Sequence, residues 1–308
     1  MQTPGAWNSP SGSSIDESGC LVYAGIGGAA ICPVVDRFGN VGSETWLGPG
    51  GPWRVIYVFR YLVAAFSTFV WASLAIIGAT VDRSGESMVW MARQWTRWIF
   101  GGCGIRVEVE GLESIDPSQP YVIMTNHQSV VDIGAIVATL PVSFRFVAKQ
   151  ELTWIPLFGW ALRLAGHVII NRRKRSEAVR SLERAAQRVA DGVNVIIFPE
   201  GTRSPTGELQ AFKSGGFHLA IVAQVPILPA TISGSQAITP KRSLRVESGT
   251  VKIVYGKPIP TAGLSVDDRQ RLKGQVREAI LQGYDPAYQR DAQDPARSAA
   301  GERRSSAA

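Results

Sequence analysis

Between residues 105 and 255 short apolar runs alternate with helical stretches, and that alternation limits the possible folds more than any other feature of the chain. Ile105, Val107 and Val109 alternate with Arg106, Glu108 and Glu110, the period of two that gives a strand one buried and one wet face. Further strand-like runs follow at 121–124, 144–148, 167–170, 193–198, 227–232 and 251–255. The clearest helix between them covers 177–191, where Leu182, Ala185, Ala186 and Val189 belong to one apolar stripe and Gly192 supplies the stop. Strands alternating with helices predict an α/β fold, a single domain whose mostly parallel β-sheet is flanked by helices. A chain of 308 residues can bury one such core and still carry extensions at both ends.

Ahead of that domain, residues 61–81 carry no charge, with Arg54 and Arg60 before them and Asp82 and Arg83 after. At about 1.5 Å per residue this run can cross a hydrocarbon core of about 30 Å. Ser67, Thr68, Ser73 and Gly78 dilute it and its flanks lack a strong charge asymmetry, so a buried core helix is the alternative. After a polar turn, Met88, Met91, Trp95 and Trp98 fall on one helical face and Trp90, Arg93 and Arg97 on the other. A helix of that kind can lie in the interface plane, with Trp and Arg at headgroup level. Residues 53–101 are therefore expected to form a membrane-associated helical hairpin, with a full span as runner-up, and residues 102–285 the α/β domain. Residues 1–52 are rich in Gly, Ser and Pro and have no secretory n-region or h-region, so they read as a disordered leader. A start codon assigned too far upstream would leave the same composition. Residues 286–308 read as a disordered tail.

The formal net charge of +7 and a pI near 9.5 imply affinity for something anionic: nucleic acid, a phosphorylated small molecule or an acidic membrane surface. Nucleic acid is not expected, because basic runs interleaved with aromatics are absent and the densest run, 172–175, sits between a strand and a helix. Cys20, Cys32 and Cys103 have neither metal-ligand spacing nor a disulfide framework, which fits a reducing compartment. His167 and His218 have no acid at useful spacing, so no metal site is expected.

Chemistry concentrates in two segments about seventy residues apart, 126–132 and 198–204. Each follows a strand-like run, the place where ligands bind in open α/β sheets. His127 is suited to act as a base near neutrality, and Asp132, with four residues intervening, can hold the other ring nitrogen and stabilise the imidazolium. A helix-capping His followed by an ordinary surface carboxylate is the competing reading of that pair alone. Arg203 is a permanently charged fork suited to phosphate, and Glu200 adjoins Gly201, where backbone can approach a ligand closely. A structural ion pair between Glu200 and Arg203 is the alternative. Lys149 and Arg172 each close a strand and would point charge at the same sheet edge, with Lys213 a weaker candidate of the same type. Ser129 lacks the Gly-x-Ser-x-Gly elbow of a covalent nucleophile, which favours direct transfer.

These segments resemble the glycerolipid acyltransferase family whose best-known members are the 1-acylglycerol-3-phosphate acyltransferases, the PlsC-type lysophosphatidic acid acyltransferases. Asn126-His127-Gln128-Ser129-Val130-Val131-Asp132 is similar to the family's first block and Gly166-His167-Val168-Ile169-Ile170-Asn171-Arg172 to its second. Phe198-Pro199-Glu200-Gly201-Thr202-Arg203-Ser204 resembles the third, and Val225-Pro226-Ile227-Leu228-Pro229-Ala230 the fourth. Asn171 stands where many members carry Asp. The resemblance covers roughly residues 100 to 260, and it implies that His127 deprotonates the acceptor hydroxyl while Asp132 orients it. It further implies that Glu200, Gly201, Thr202 and Arg203 help hold the acceptor, with Lys149 and Arg172 as phosphate ligands. The implied reaction carries a fatty acyl group from acyl-CoA or acyl-acyl carrier protein to 1-acylglycerol 3-phosphate, giving phosphatidic acid at the cytoplasmic face of the membrane. No metal or prosthetic group is implied. Another lysophospholipid, glycerol 3-phosphate or a lyso-aminolipid is the alternative acceptor; a thioesterase and a catalytically dead binding protein are the alternatives in other classes.

Overall fold

The computed structural model describes residues 53–82, 85–171, 175–241 and 243–288, together with a short antiparallel ribbon, Ser13–Ile15 with Leu21–Tyr23. The rest of the expected leader lies outside the described residues, as does 289–308 of the expected tail. Two long helices come first, α1 (Trp53–Val81) and α2 (Glu86–Cys103). The α/β domain then runs β1 (Ile105–Glu110), β2 (Val122–Thr125), α3 (Val131–Thr139), β3 (Phe144–Lys149), α4 (Phe158–Leu164), β4 (Val168–Ile170), α5 (Arg175–Ala190) and β5 (Asn194–Ile197). It closes with α6 (Gly215–Ala223), β6 (Ile227–Ser233), α7 (Ser235–Ile238), β7 (Gly249–Tyr255) and α8 (Arg269–Gln282).

One seven-stranded sheet has the order β1-β7-β6-β2-β5-β3-β4. Every neighbouring pair is parallel except β6 with β7, so the expected mostly parallel α/β sheet is present. Central strands have no wet face: β2, β5 and β6 are buried at every position, which requires helices on both sides. One layer of core is built around Ile123, Ile136, Leu140 and Phe144, and the other around Met124, Ile197, Phe217 and Leu219. Strand β1, at the edge, keeps the alternation read in its sequence, with Arg106 and Glu110 outward.

α1 runs antiparallel along α2, and α2 in turn packs on α3. The second contact is tight: a Cβ on Gly134 would lie 2.5 Å from the Phe100 ring. Helix α2 therefore differs from an interface-plane helix with a free polar face. Its Val89, Thr96, Phe100 and Cys103 are buried, and Arg93 donates to the Leu140 carbonyl at 2.8 Å instead of reaching headgroups. The Trp71 ring on α1 meets Trp90 and Trp98 edge-on. The domain also extends past residue 285, because the Tyr288 hydroxyl bonds Glu108 on β1 and its ring lies over the Lys252 ammonium.

Candidate active site

β2 and β5 are adjacent and parallel, with Met124 in register with Ile197. His127 and Glu200 each lie three residues beyond those partners, so two segments distant in sequence leave the sheet side by side. A carboxylate of Glu200 accepts the His127 backbone N–H at 2.7 Å, and the His127 carbonyl accepts the Ser204 N–H at 2.7 Å. On the far side of β2, the Asn126 amide donates to the Ile232 carbonyl at 2.7 Å and accepts from the Ile232 N–H at 2.8 Å. The loop that carries the histidine is therefore held from both neighbouring strands.

Asp132 opens α3 and is fully buried. One of its oxygens accepts from His127 Nδ1 at 2.8 Å and from the backbone N–H groups of Gln128 and Ser129 at 2.7 and 2.8 Å. A carboxylate that receives two backbone N–H groups is fixed in place before it meets the ring, and the third bond sets the ring's tautomer with the proton on Nδ1. Nε2 is left with its lone pair, and among the described residues it has no hydrogen-bond partner. The imidazole is clamped edge and face: Phe198 stacks on it with centroids 3.9 Å apart and planes inclined by 22°. Phe198 itself stacks on Phe146 from β3. The arrangement is an imidazole with a fixed rotamer, one buried carboxyl partner and one open nitrogen, as a general base would need.

Glu200 is 3% exposed, and its second oxygen accepts from the Gln210 N–H at 3.0 Å and side-chain amide at 3.1 Å. Burial pushes its carboxyl up from the ordinary value while these hydrogen bonds hold it down. Both oxygens are thus occupied by protein groups, so Glu200 braces the junction of the two segments. The alternative reading, an ion pair from Glu200 to Arg203, is not seen among the described residues. Arg203 is half-buried and its guanidinium has no carboxylate or carbonyl partner among them, while its backbone carbonyl accepts from the Lys241 ammonium.

Gly201 sits at φ +74°, the left-handed region, and closes a turn with its N–H on the Phe198 carbonyl at 3.0 Å. The Lys213 side chain lies against it, so that a Cβ there would fall 2.7 Å from the ammonium nitrogen. Lys213 is held by its backbone N–H on the Pro199 carbonyl, 2.8 Å. Thr202 is exposed, and its carbonyl accepts from the Gln210 side chain at 3.2 Å. Contacts therefore bring together His127, Asp132, Glu200, Gly201, Thr202, Arg203 and Lys213. Lys149 ends β3 at the same edge of the sheet, where its ammonium pairs with Glu151 at 3.0 Å. Arg172 lies outside the described residues.

Sequence reasoning missed Gln210, Lys241 and the Phe198 stack. Gln210 and Lys241 stand in irregular loops with no periodicity, and Phe198 reads as the last apolar residue of a strand. Ser129 is fully buried with its hydroxyl on Thr239, so it does not face the His127 ring as a nucleophile would. His167 packs under Phe146, whose N–H it accepts at 2.9 Å, and burial followed by the charges of Arg145 and Arg188 pushes its pKa down to about 3. A cavity of about 620 Å³ between α8 and the β6–β7 pair shares no residue with the His127 constellation.

Residues 106–233 match a family model described as Acyltransferase. Human 1-acyl-sn-glycerol-3-phosphate acyltransferase alpha is 41% identical over 179 residues, covering 58% of this chain and 63% of the human protein. The chain thus spans less than two thirds of that relative's length. A 1-acyl-sn-glycerol-3-phosphate acyltransferase of Pseudomonas aeruginosa is 34% identical over 243 residues, 76% of this chain and 93% of the bacterial protein. Among solved structures, the 1-acyl-sn-glycerophosphate (LPA) acyltransferase PlsC from Thermotoga maritima superimposes with a TM-score of 0.64 at 26% identity, over 79% of this chain and 95% of that one.

Proposed function

Because the chain belongs to the 1-acyl-sn-glycerol-3-phosphate acyltransferase family, we propose that it transfers a fatty acyl group from acyl-CoA or acyl-acyl carrier protein to the free hydroxyl of 1-acylglycerol 3-phosphate. The observation that carries this reading is the His127–Asp132 pair with Nε2 open. An alcohol attacks a thioester carbonyl slowly at neutral pH, and removal of its proton during attack lowers that barrier. Nε2 takes the hydroxyl proton as the oxygen bonds to the carbonyl carbon. The imidazolium that forms is stabilised by Asp132 at Nδ1, and it returns the proton to the departing thiolate as the C–S bond breaks. Asp132 keeps its place behind the ring throughout, since the same oxygen is held by two backbone N–H groups.

Arg203 is given the acceptor phosphate, because its guanidinium has no competing partner among the described residues and projects from the same turn as Gly201. Lys213, against Gly201, is placed to add a second positive charge. Lys149 keeps a lesser role through its pairing with Glu151. Glu200 acts on the geometry of the site through His127. The thioester is the only co-substrate these steps require.

Membrane attachment through α1 completes the reading. This helix is long and apolar enough to cross a membrane, with Phe66, Phe69 and Ile77 turned outward. It also touches the domain: near its start Tyr57 bonds Glu247 and Tyr61 bonds the Leu244 carbonyl at 3.0 Å, α4 packs on it, and Trp95 on α2 bonds Thr68 at 3.0 Å. α4 meets the middle of this hairpin, where the Phe158 ring lies against Trp95, so a full crossing would draw polar groups of the domain into hydrocarbon at a cost of several kcal/mol. These contacts support a hairpin lying in one leaflet, and the cytoplasmic side is assigned to it because acyl thioesters are held there. The test is acyl transfer by the purified full chain in detergent, with acyl-CoA and acyl carrier protein donors and a panel of lyso-acceptors. His127→Ala is expected to lose about 10² to 10⁴-fold in turnover. Unchanged turnover in that variant would remove the mechanism, and preference for an acceptor without a phosphomonoester would remove the assignment of Arg203.

A further inference from the structure

The segment that follows β3 at the active-site edge of the sheet turns large apolar side chains to solvent. Trp154 is 67% exposed and Trp160 56%, with Ile155 and Leu164 beside them. This is a braced corner and not a loose loop tip. Gly159 packs so closely on Thr153 that a Cβ would lie 2.4 Å from its carbonyl oxygen, and Arg163 donates to the Thr153 hydroxyl at 3.0 Å. Leu157 adopts φ +61°, a backbone conformation unfavourable for a branched residue, within a turn closed by the Gly159 N–H on the Ile155 carbonyl at 2.7 Å and the Ala161 N–H on the Leu157 carbonyl at 2.8 Å. A soluble protein gains nothing by holding two tryptophans rigidly in water. Strain that persists at an exposed apolar corner points to a surface with an occupant.

The corner adjoins the apolar helix α1. α4 packs directly on α1, and the Phe158 ring meets Trp95 of α2 at 6.1 Å. We infer that Trp154, Ile155, Trp160 and Leu164 form a second membrane-docking face, which with α1 sets the height of the His127 site above the lipid headgroups. The inference rests on the proposed membrane attachment of α1. Tryptophan is the residue type favoured where hydrocarbon meets headgroups, and the exposed Arg163 adds a cation beside Leu164 on the same segment. A bilayer is favoured over a second copy of the chain because a lipid surface can cover both faces at once. One-point attachment through α1 would leave the domain free to rotate about that helix. A second contact at the edge that carries the site fixes its mouth toward the lipid, so an acceptor need not leave the membrane to reach the base.

The experiment compares the full-length protein with W154E/W160E and with W154F/W160F. Each is measured for sedimentation with vesicles of phosphatidylcholine and phosphatidylglycerol, and for acyl transfer to lysophosphatidate held either in those vesicles or in detergent micelles. The double Glu variant is expected to lose about tenfold or more of its vesicle activity while its micellar activity stays within about twofold, and the Phe variant to keep both. Amide exchange over residues 152–164 is expected to slow when vesicles are added to the unaltered protein. Equal vesicle activity in the Glu variant, with vesicle binding intact, would overturn the docking face and leave α1 attachment standing. Equal losses on vesicles and micelles would also overturn it, since the substitutions would then act on the site itself. Failure of the unaltered protein to sediment with vesicles would overturn the underlying membrane reading. A Glu variant that binds vesicles normally but changes from dimer to monomer would assign the patch to self-association and overturn the proposal.

Discussion

Asp132→Asn isolates the charge behind the base with little change of shape. In the transition state the ring carries a positive charge 2.8 Å from a carboxylate oxygen. At an effective dielectric constant near 20, that contact corresponds to about 6 kcal/mol of Coulomb energy. The asparagine oxygen can still accept from Nδ1 and from the Gln128 and Ser129 N–H groups, and a neutral bond retains about half the strength of a charged one. The remaining loss of about 3 kcal/mol predicts a fall in kcat/KM of about 10²-fold, rising toward about 10⁴-fold if the ring turns to its other tautomer. A smaller structural cost accompanies it. The other Asp132 oxygen is buried without a hydrogen-bond partner, so the new amide N–H₂ would face no acceptor there, at about 1–3 kcal/mol. Thiol release from acyl-CoA in the presence of lysophosphatidate measures the first effect, and the melting temperature measures the second. A folded Asp132→Asn protein within about fivefold of the original kcat/KM would refute the argument that His127 is activated through Nδ1.

Three further outcomes follow from the geometry. Arg203→Ala should raise KM for a phosphate-bearing acceptor about 10- to 100-fold while unfolding free energy stays within about 0.5 kcal/mol, because no described side chain loses a partner; a matching rise for an uncharged acceptor would contradict it. Gly201→Ala should lose about 1–2 kcal/mol of stability to the left-handed backbone, seen in chemical denaturation, and should lower activity by displacing the Lys213 side chain that a Cβ would meet at 2.7 Å. His167 is neutral in the folded protein well below its ordinary value of 6.5, down to about 3. The unfolded chain takes up that proton first, so its contribution to stability is present above pH 6.5 and is lost as pH falls toward 3, with a slope of at most about 1.4 kcal/mol per pH unit. His167→Gln should remove that slope from the pH dependence of unfolding, and an unaltered slope would reject the assignment.

Much of the scaffold was legible because periodicity is local. The strand-like runs from 105 to 255 correspond to β1 through β7, and the stripe ending at Gly192 corresponds to α5, with its boundary shifted by one or two residues. Helix α2 was legible as a helix, yet its environment was not. Arg93 and Trp90 look alike on a helical wheel whether lipid, α1 or the Leu140 carbonyl lies opposite, and only packing decides among them. The same limit applies at the C-terminal end, where Tyr288 is ordered by Glu108, a partner 180 residues away.

Residue types and spacing offered candidates for a base, its acid and a phosphate-binding fork in two short segments, because His127 and Asp132 lie within one helical entry and Arg203 within one turn of Gly201, and the flanking blocks selected them over the helix-capping reading. That the two segments form one site depends on β2 and β5 being neighbours, which no local pattern encodes, since α3, β3, α4, β4 and α5 intervene in the chain. Tertiary structure also divided the roles of the charged residues. Glu200 and Arg203 are three positions apart and equally polar, but the strand register turns the Glu200 carboxylate inward onto the His127 N–H and leaves the Arg203 guanidinium without a partner among the described residues. A carboxylate's task follows from what its oxygens already hold, and that is a property of the fold.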